Sequence, residues 1–256
     1  MGLLDGKKAL IFGVANEKSI AWAIAQAFHQ EGAELAFTYA GEAVAKRVIP
    51  LAESLGVKLV LPCDVRNDQE IATTFGEIQR QWGGLDLLVH SVAFANKDEL
   101  KGSFLNTTRE GFATALDVSA YSLIALAKEA VSLMQGRDGS IVTLSYFGGQ
   151  KVFPSYNVMG VAKAALEMSV RYLAEAVGAD GIRVNAISAG PLRTLAAAGV
   201  GGFNQIASIV ADKAPLRRNI TQEDVAGAAV YLCSRLAKGV TGEVHFVDSG
   251  YNIIGL

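Results

Sequence analysis

A parallel α/β sheet, doubly wound and covered by helices on both faces, is the fold class that this sequence predicts. Three observations lead to it. Short unbroken apolar runs recur along the chain, each followed by a segment of helix length. The runs lack the alternation of half-exposed strands, so both faces of each are buried. Glycine is abundant at 27 residues against 5 prolines, which suits many strand-to-helix turns. Right-handed crossovers between such strands then give the doubly wound order.

The elements follow in order. Lys8 to Phe12 is a buried strand, and Ser19 to Glu31 a helix with Ile20, Ala23, Ile24, Ala27 and Phe28 on one stripe. Leu35 to Tyr39 is the second strand, and a weaker helix with Pro50 inside it runs to Leu55. Leu59 to Cys63 is the third strand. Asn67 with Glu70 forms a capping box that opens a helix to Trp82. Leu85 to His90 is the fourth strand, and Thr107 with Glu110 caps a long helix to about Met134. Ser140 to Leu144 is the fifth strand, followed by a helix from Tyr156 to Val177, and Arg183 to Ile187 is the sixth. Residues 190–220 read as irregular. Thr221 to Cys233 is the last helix and Glu243 to Val247 the last strand. The 256 residues therefore read as one domain, with no linker, repeat or low-complexity block.

Composition excludes several classes. Apolar residues make up 51% and charged residues 19%, which excludes a disordered chain. Lys and Arg total 23 against 25 Asp and Glu, a balance that argues against a nucleic-acid binder or a polybasic membrane binder. Cys63 and Cys233 stand far apart, which excludes a disulfide framework. His29, His90 and His245 show no metal-ligand spacing and read as structural or surface residues; no metal is expected. The first eight residues lack the apolar core of a signal peptide, and no stretch reads as a membrane span. The expectation is a soluble cytoplasmic protein with a minimal C-terminal tail.

Ligands bind doubly wound sheets outside the carboxyl ends of the strands, so the loops after Phe12, Tyr39, Cys63, His90, Leu144 and Ile187 share one cleft. The loop Gly13 to Ile20 departs from G-x-G-x-x-G. It still offers Gly13 for close backbone approach and a helix N-terminus at Ser19, both suited to a pyrophosphate. It reads equally as an ordinary loop with a Ser cap. Asp64 and Val65 follow the third strand, where Asp64 suits either an adenine amino group or a simple turn. Ser91, Val92 and Ala93 are small enough to let a ligand lie on the sheet edge. Tyr156 and Lys163 lie seven residues apart, some 20° short of two full turns and about 10 Å along the axis of a helix. A cation there favours the phenolate, or a stronger phenol donor. Tyr146 follows Ser145 at the same rim. It suits a substrate boundary or an interfacial aromatic equally. Pro191 to Thr194 offers Thr194 and backbone amides to a cofactor. Phe94, Phe147, Phe153, Met159, Ala196, Phe203 and Ile206 lie in or beside cleft loops and would together make an apolar pocket.

Taken together, these residues resemble the short-chain dehydrogenase/reductase superfamily, and within it the divergent branch of bacterial enoyl-acyl-carrier-protein reductases. Three segments carry the resemblance: Gly13-x5-Ser19-Ile20, Tyr156-x6-Lys163, and Arg183 to Ala197. It covers essentially the whole chain and implies a Rossmann-like fold. Ordinary superfamily members place Lys four residues after Tyr, where this chain has Gly160. A rationale is that a ketone reductase needs its phenol beside the carbon that receives hydride. An enoyl reductase needs it at a thioester oxygen further away.

The resemblance implies hydride transfer to C3 of a trans-2-enoyl thioester, with Tyr156 donating to the enolate oxygen. Lys163 would hold the nicotinamide ribose, and Tyr146 would line the substrate site with a catalytic share. Cofactor positions are Gly13, Ser19, Ile20, Ala40, Asp64, Val65, Val92, Lys163, Leu192, Arg193, Thr194, Leu195 and Ala196. Substrate positions are Ala95, Tyr146, Tyr156, Met159, Ala196, Phe203 and Ile206. Residues 194–210 would be a lid that orders with ligand. The expected cofactor is NADH. NADPH stays open, because position 40, often Gln in NADH-using members, is Ala40, and Lys46 and Arg47 would suit a 2′-phosphate. The implied partner is acyl carrier protein bearing the enoyl chain. Residues 201–205 lack the basic side chains that would meet it, which leaves Lys151, Lys213, Arg217 or Arg218. The implied assembly is a homotetramer packed through the long fourth and fifth connecting helices. A carbonyl reductase of the same fold, such as a 3-oxoacyl reductase, and a non-catalytic nicotinamide-binding regulator are the alternative readings.

Overall fold

The computed structural model describes residues 2–194 and 202–255. Its strands are β1 (Lys8–Phe12), β2 (Glu34–Tyr39), β3 (Leu59–Pro62), β4 (Leu87–His90), β5 (Ser140–Ser145), β6 (Arg183–Ala189) and β7 (Val244–Val247). Its helices are α1 (Ile20–Gln30), α2 (Glu42–Ser54), α3 (Asp68–Trp82), α4 (Arg109–Leu116), α5 (Ser122–Met134), α6 (Val158–Gly178), α7 (Phe203–Lys213) and α8 (Gln222–Cys233). The strands form one parallel sheet in the order β3-β2-β1-β4-β5-β6-β7. The order reverses between β1 and β4, so the crevice there opens where the chain winds first one way and then the other.

Burial follows the pleat. Ala9 and Ile11 of β1 enter the core layer beneath α1 and α8, whereas Leu10 and Phe12 enter the opposite layer with α3, α5 and α6. Strands buried on both faces read as continuous apolar runs, which is why the sequence shows them so plainly.

Four local readings need correction. The helix before residue 134 is capped by Thr108, not Thr107: the Thr108 hydroxyl accepts from the Gly111 amide at 2.9 Å. The Thr107 hydroxyl is used by the preceding turn, where it donates to the Phe104 carbonyl. That helix is also interrupted by a π-turn over Asp117–Tyr121. The helix bearing Lys163 begins at Val158, so Tyr156 stands before it. Finally, residues 190–220 contain α7. Its apolar positions Phe203, Ile206 and Val210 keep helical spacing between Gly202 and Pro215, a short stripe easily lost among glycines and alanines.

Candidate active site

The site is built at the carboxyl end of β5. Ser145 ends the strand, and a 3₁₀ turn over Phe147–Gly149 follows Tyr146. This turn lies against the start of α6 because it carries two glycines. A Cβ on Gly148 would stand 2.6 Å from a ring carbon of Tyr156, and one on Gly149 would stand 3.1 Å from Lys163 and Ala164 atoms. Gly160 completes the fit, since a Cβ there would be 2.9 Å from the Gly148 carbonyl oxygen. A lysine at position 160 has no room without moving that turn.

Tyr156 is placed by this contact and by strained backbone on either side. Ser155 has φ 62° and Asn157 has φ 39°, values that side-chain-bearing residues seldom adopt. The rings of Tyr146 and Tyr156 meet edge to face with centroids 5.0 Å apart, and Phe153 backs Tyr146 at 5.1 Å. Lys163 is 6% exposed and donates from Nζ to the Leu144 carbonyl at 2.7 Å. The expected shared helix face is therefore replaced by a turn. Glycine packing, not helical phase, brings Tyr156 to Lys163's end of the strand.

The electrostatics also differ from expectation. Burial pushes the Tyr156 phenol up, and the neighbouring Tyr146 and Glu167 push it the same way. The phenol keeps its proton and is a donor, not a phenolate. Burial pushes the Tyr146 phenol up too, with Tyr251 adding to it. Burial lowers Lys163 to about 8, against the opposing pull of Glu167. His90 lies beneath, lowered to about 3 by burial and by Lys163. Its Nε2 meets Ser122 Oγ at 2.8 Å and its Nδ1 meets Thr143 Oγ1 at 2.7 Å. The Ser122 hydroxyl donates to the Val118 carbonyl, so it accepts from Nε2–H, and Nδ1 accepts from Thr143.

The switch-point crevice adjoins this centre. Gly13 has φ 99°, and a Cβ on it would stand 2.0 Å from the Ser91 carbonyl oxygen. Its glycine is thus required by contact between the β1 and β4 loops, whatever lies above them. Of the two readings of this loop, the ordinary Ser cap is not formed: the Ser19 hydroxyl donates to the Asn16 carbonyl at 2.7 Å, and the first turn of α1 holds no acidic residue. The amides of that turn, starting at Ile20, are left with no side-chain cap at the crevice. A pyrophosphate fits such a helix end. Asp64 is not a bare carboxylate. Arg66 grips both of its oxygens and holds it below its ordinary range. Val65 is buried and Val92 packs on the core layer formed with α3, α5 and α6. Ala40 is exposed after β2, Leu192 is buried, Arg193 is exposed, and the Thr194 amide donates to the Leu192 carbonyl at 3.0 Å.

Among the positions expected to meet substrate, Met159 is buried in a small apolar cluster against which Ala95 and Tyr156 pack. Ser119, delivered by the π-turn, accepts from the Phe94 amide at 3.0 Å and lies 3.8 Å from the Met159 sulfur. Phe203 and Ile206 are partly buried on one face of α7. Leu195 and Ala196 lie outside the described residues. Sequence reasoning missed Ser119, Gly148, Gly149 and Glu167. The available signals were a Gly-Gly pair two residues after the end of a strand and a glutamate one turn beyond Lys163. Among the described residues no group of His, Cys, Asp and Glu is gathered to hold a metal.

A family model described as "Enoyl-(Acyl carrier protein) reductase" matches residues 13–252. The chain is 56% identical over 254 residues to the NADH-dependent enoyl-acyl-carrier-protein reductase FabI of Rickettsia prowazekii, covering 99% of this chain and 97% of that one. It is 54% identical to the FabI of Bacillus cereus over 257 residues, the full length of both. The crystal structure of the Aquifex aeolicus enzyme superposes with a TM-score of 0.97 at 53% identity and full coverage of both chains. An Anaplasma phagocytophilum reductase in complex with NAD gives 0.96 at 52%, covering 100% of this chain and 97% of that one. The Bacillus cereus enzyme with NADP+ and indole naphthyridinone gives 0.97 at 54%, again over both whole chains. With Gly160 in place of a lysine, Lys163 seated on β5 and matches that run from end to end, this chain belongs to the enoyl-acyl-carrier-protein reductase family.

Proposed function

We propose that the protein is an NADH-dependent enoyl-acyl-carrier-protein reductase of fatty-acid synthesis, working as one dinucleotide-binding domain over residues 1–256. The observation that carries the reading is the turn over Phe147–Gly149, which holds Tyr146, Tyr156 and Lys163 together at the end of β5. The uncapped start of α1 fits the pyrophosphate of a dinucleotide, and buried Lys163 fits its ribose hydroxyls. When bound, the reduced nicotinamide supplies the hydride that reaches C3 of a trans-2-enoyl thioester.

The protein's own groups do the rest. Tyr156, neutral by virtue of its burial, donates a hydrogen bond to the thioester oxygen on which negative charge develops. Tyr146 bounds the site beside it. Ala95, Met159, Phe203 and Ile206 offer an apolar channel for the acyl chain, and residues 194–210 close over it. Gly13, Ser19, Ile20, Ala40, Asp64, Val65, Val92, Leu192, Arg193, Thr194, Leu195 and Ala196 line the cofactor. The thioester arrives on acyl carrier protein. Exposed Phe112, Tyr121, Ile124, Met168 and Tyr172 on or between α4, α5 and α6 support assembly as a homotetramer through those helices. No described helix is long and apolar enough to cross a membrane, which is consistent with a cytoplasmic enzyme.

The test is loss of nicotinamide absorbance with NADH or NADPH and a crotonyl or acetoacetyl thioester. Oxidation of NADH with crotonyl thioester alone is expected. Turnover of acetoacetyl thioester alone would leave only the superfamily standing.

A further inference from the structure

Glu167 is a buried acid that the mechanism leaves without a role. It is 3% exposed. One carboxylate oxygen accepts from the Ser145 hydroxyl at 2.7 Å, and the other accepts from the Gln150 side-chain amide at 2.9 Å. Ser145 precedes Tyr146, and Gln150 follows the turn over Phe147–Gly149. A single carboxylate thus ties both ends of the segment that carries Tyr146 and packs on Tyr156. One helical turn earlier on α6, Lys163 grips the adjoining strand residue through the Leu144 carbonyl. Two successive turns of α6 therefore hold two successive residues at the end of β5.

The same arrangement balances charge. Lys163 acts on His90 of β4 and is acted on by Glu167 of α6, while the phenols of Tyr146, after β5, and Tyr156, before α6, lie at the same end of β5, where Glu167 acts on Tyr156. His90 is neutral and hydrogen-bonded to Ser122 of α5, and the two phenols are neutral. Glu167 brings the carboxyl group among them, and its effect on Lys163 opposes that of burial. An unpaired buried ammonium sheds its proton readily, so a carboxylate one turn away opposes that loss.

We propose that Glu167 is a positioning residue for the reductase centre: it clamps the 145–150 segment to α6, and its charge keeps Lys163 protonated. The proposal rests on the reductase reading above, and its test separates the two. NADH binding is followed by fluorescence between pH 6 and 9 in the wild-type chain and in E167Q. Binding by E167Q is expected to match wild type within about twofold at pH 6 and to be about tenfold weaker at pH 9, as for a lysine that releases its proton at roughly tenfold lower alkalinity. With Lys163→Ala in both backgrounds the pH-dependent gap should vanish. An unchanged pH profile in a folded E167Q, or a loss equal at every pH, would overturn the charge role. Q150L tests the clamp without altering charge, and Gln150 is exposed, so the fold is expected to tolerate the change. Its kcat with crotonyl thioester should fall several-fold with NADH binding and its pH midpoint unchanged. Wild-type kcat in Q150L would overturn the clamp. Should the wild-type chain bind NADH but reduce no enoyl thioester, the reductase reading fails, while the pH profile of NADH binding still decides the role of Glu167.

Discussion

Tyr156 is held by ring contact, glycine packing and strained backbone, and each of these makes a separate prediction. Tyr156→Phe removes the donor and keeps the ring against Tyr146 and Gly148. Turnover of crotonyl thioester should fall by about 10²–10³-fold, the range for loss of one oxyanion donor, with NADH binding little changed. Lys163→Ala should weaken NADH binding as well as turnover. Full activity in Tyr156→Phe would remove the phenol from the reaction. Gly148→Ala tests the packing. Its methyl group would enter a space 2.6 Å from the Tyr156 ring, and overpacking of this kind typically costs about 1–3 kcal/mol. A lower Tm together with a lower kcat is expected, and a variant indistinguishable from wild type in both would show that the turn yields freely. Tyr146, Tyr156 and Lys163 were legible in the sequence as residue types in order. The mode of their meeting was not, because a glycine reveals nothing until the neighbour that needs its space is known.

At the scale of elements, caps decide where helices begin. Thr221 and Asp224 form a reciprocal capping box at α8, which packs with α1 beneath the sheet. Thr221→Ala should cost about 1 kcal/mol, which in a chain of this size lowers Tm by roughly 2–4 °C. A thermal scan of the purified variant measures it. The capping signal at Asn67 led to the right start for α3, with the Asn67 side chain accepting from the Gln69 and Glu70 amides. At α4 the same signal was misplaced by one residue. There the acid that completes the cap, Glu99, comes from outside the helix and bonds the Thr108 amide and hydroxyl. Spacing within a helix cannot reveal a partner supplied by another turn.

For the molecule as a whole, the buried centre beneath the site sets part of the response to acid. His90 is held neutral far below its ordinary pKa of about 6.5, down to about 3. The unfolded chain takes up a proton there that the folded one refuses. Stability from this residue is complete above about pH 6.5 and is lost progressively as pH falls toward 3. The Tm of wild type should therefore drop over that window with proton uptake on unfolding. His90→Gln, even if less stable at pH 7, should show a shallower slope. Parallel slopes would mean that His90 is charged in the native state. Asp86 is also held low. Burial alone would raise it, but the Lys8 amide, Arg137 and Lys7 outweigh that and tie the bottom of β1 to the start of β4.

The seven strands and their parallel arrangement were readable from sequence alone, because strands buried on both faces print their burial directly as apolar runs; the reductase family was readable as a resemblance carried together by Gly13-x5-Ser19-Ile20, Tyr156-x6-Lys163 and Arg183 to Ala197, each a single stretch of chain. Tertiary packing alone decided the rest. It moved Tyr156 off the helix, bound Asp64 to Arg66, assigned Gly13 to Ser91, left α1 uncapped and buried Glu167 beside Lys163. Each of these outcomes depends on which distant backbone or side chain occupies the adjoining space, and that is set only when the sheet has formed and its two helical layers have closed on it.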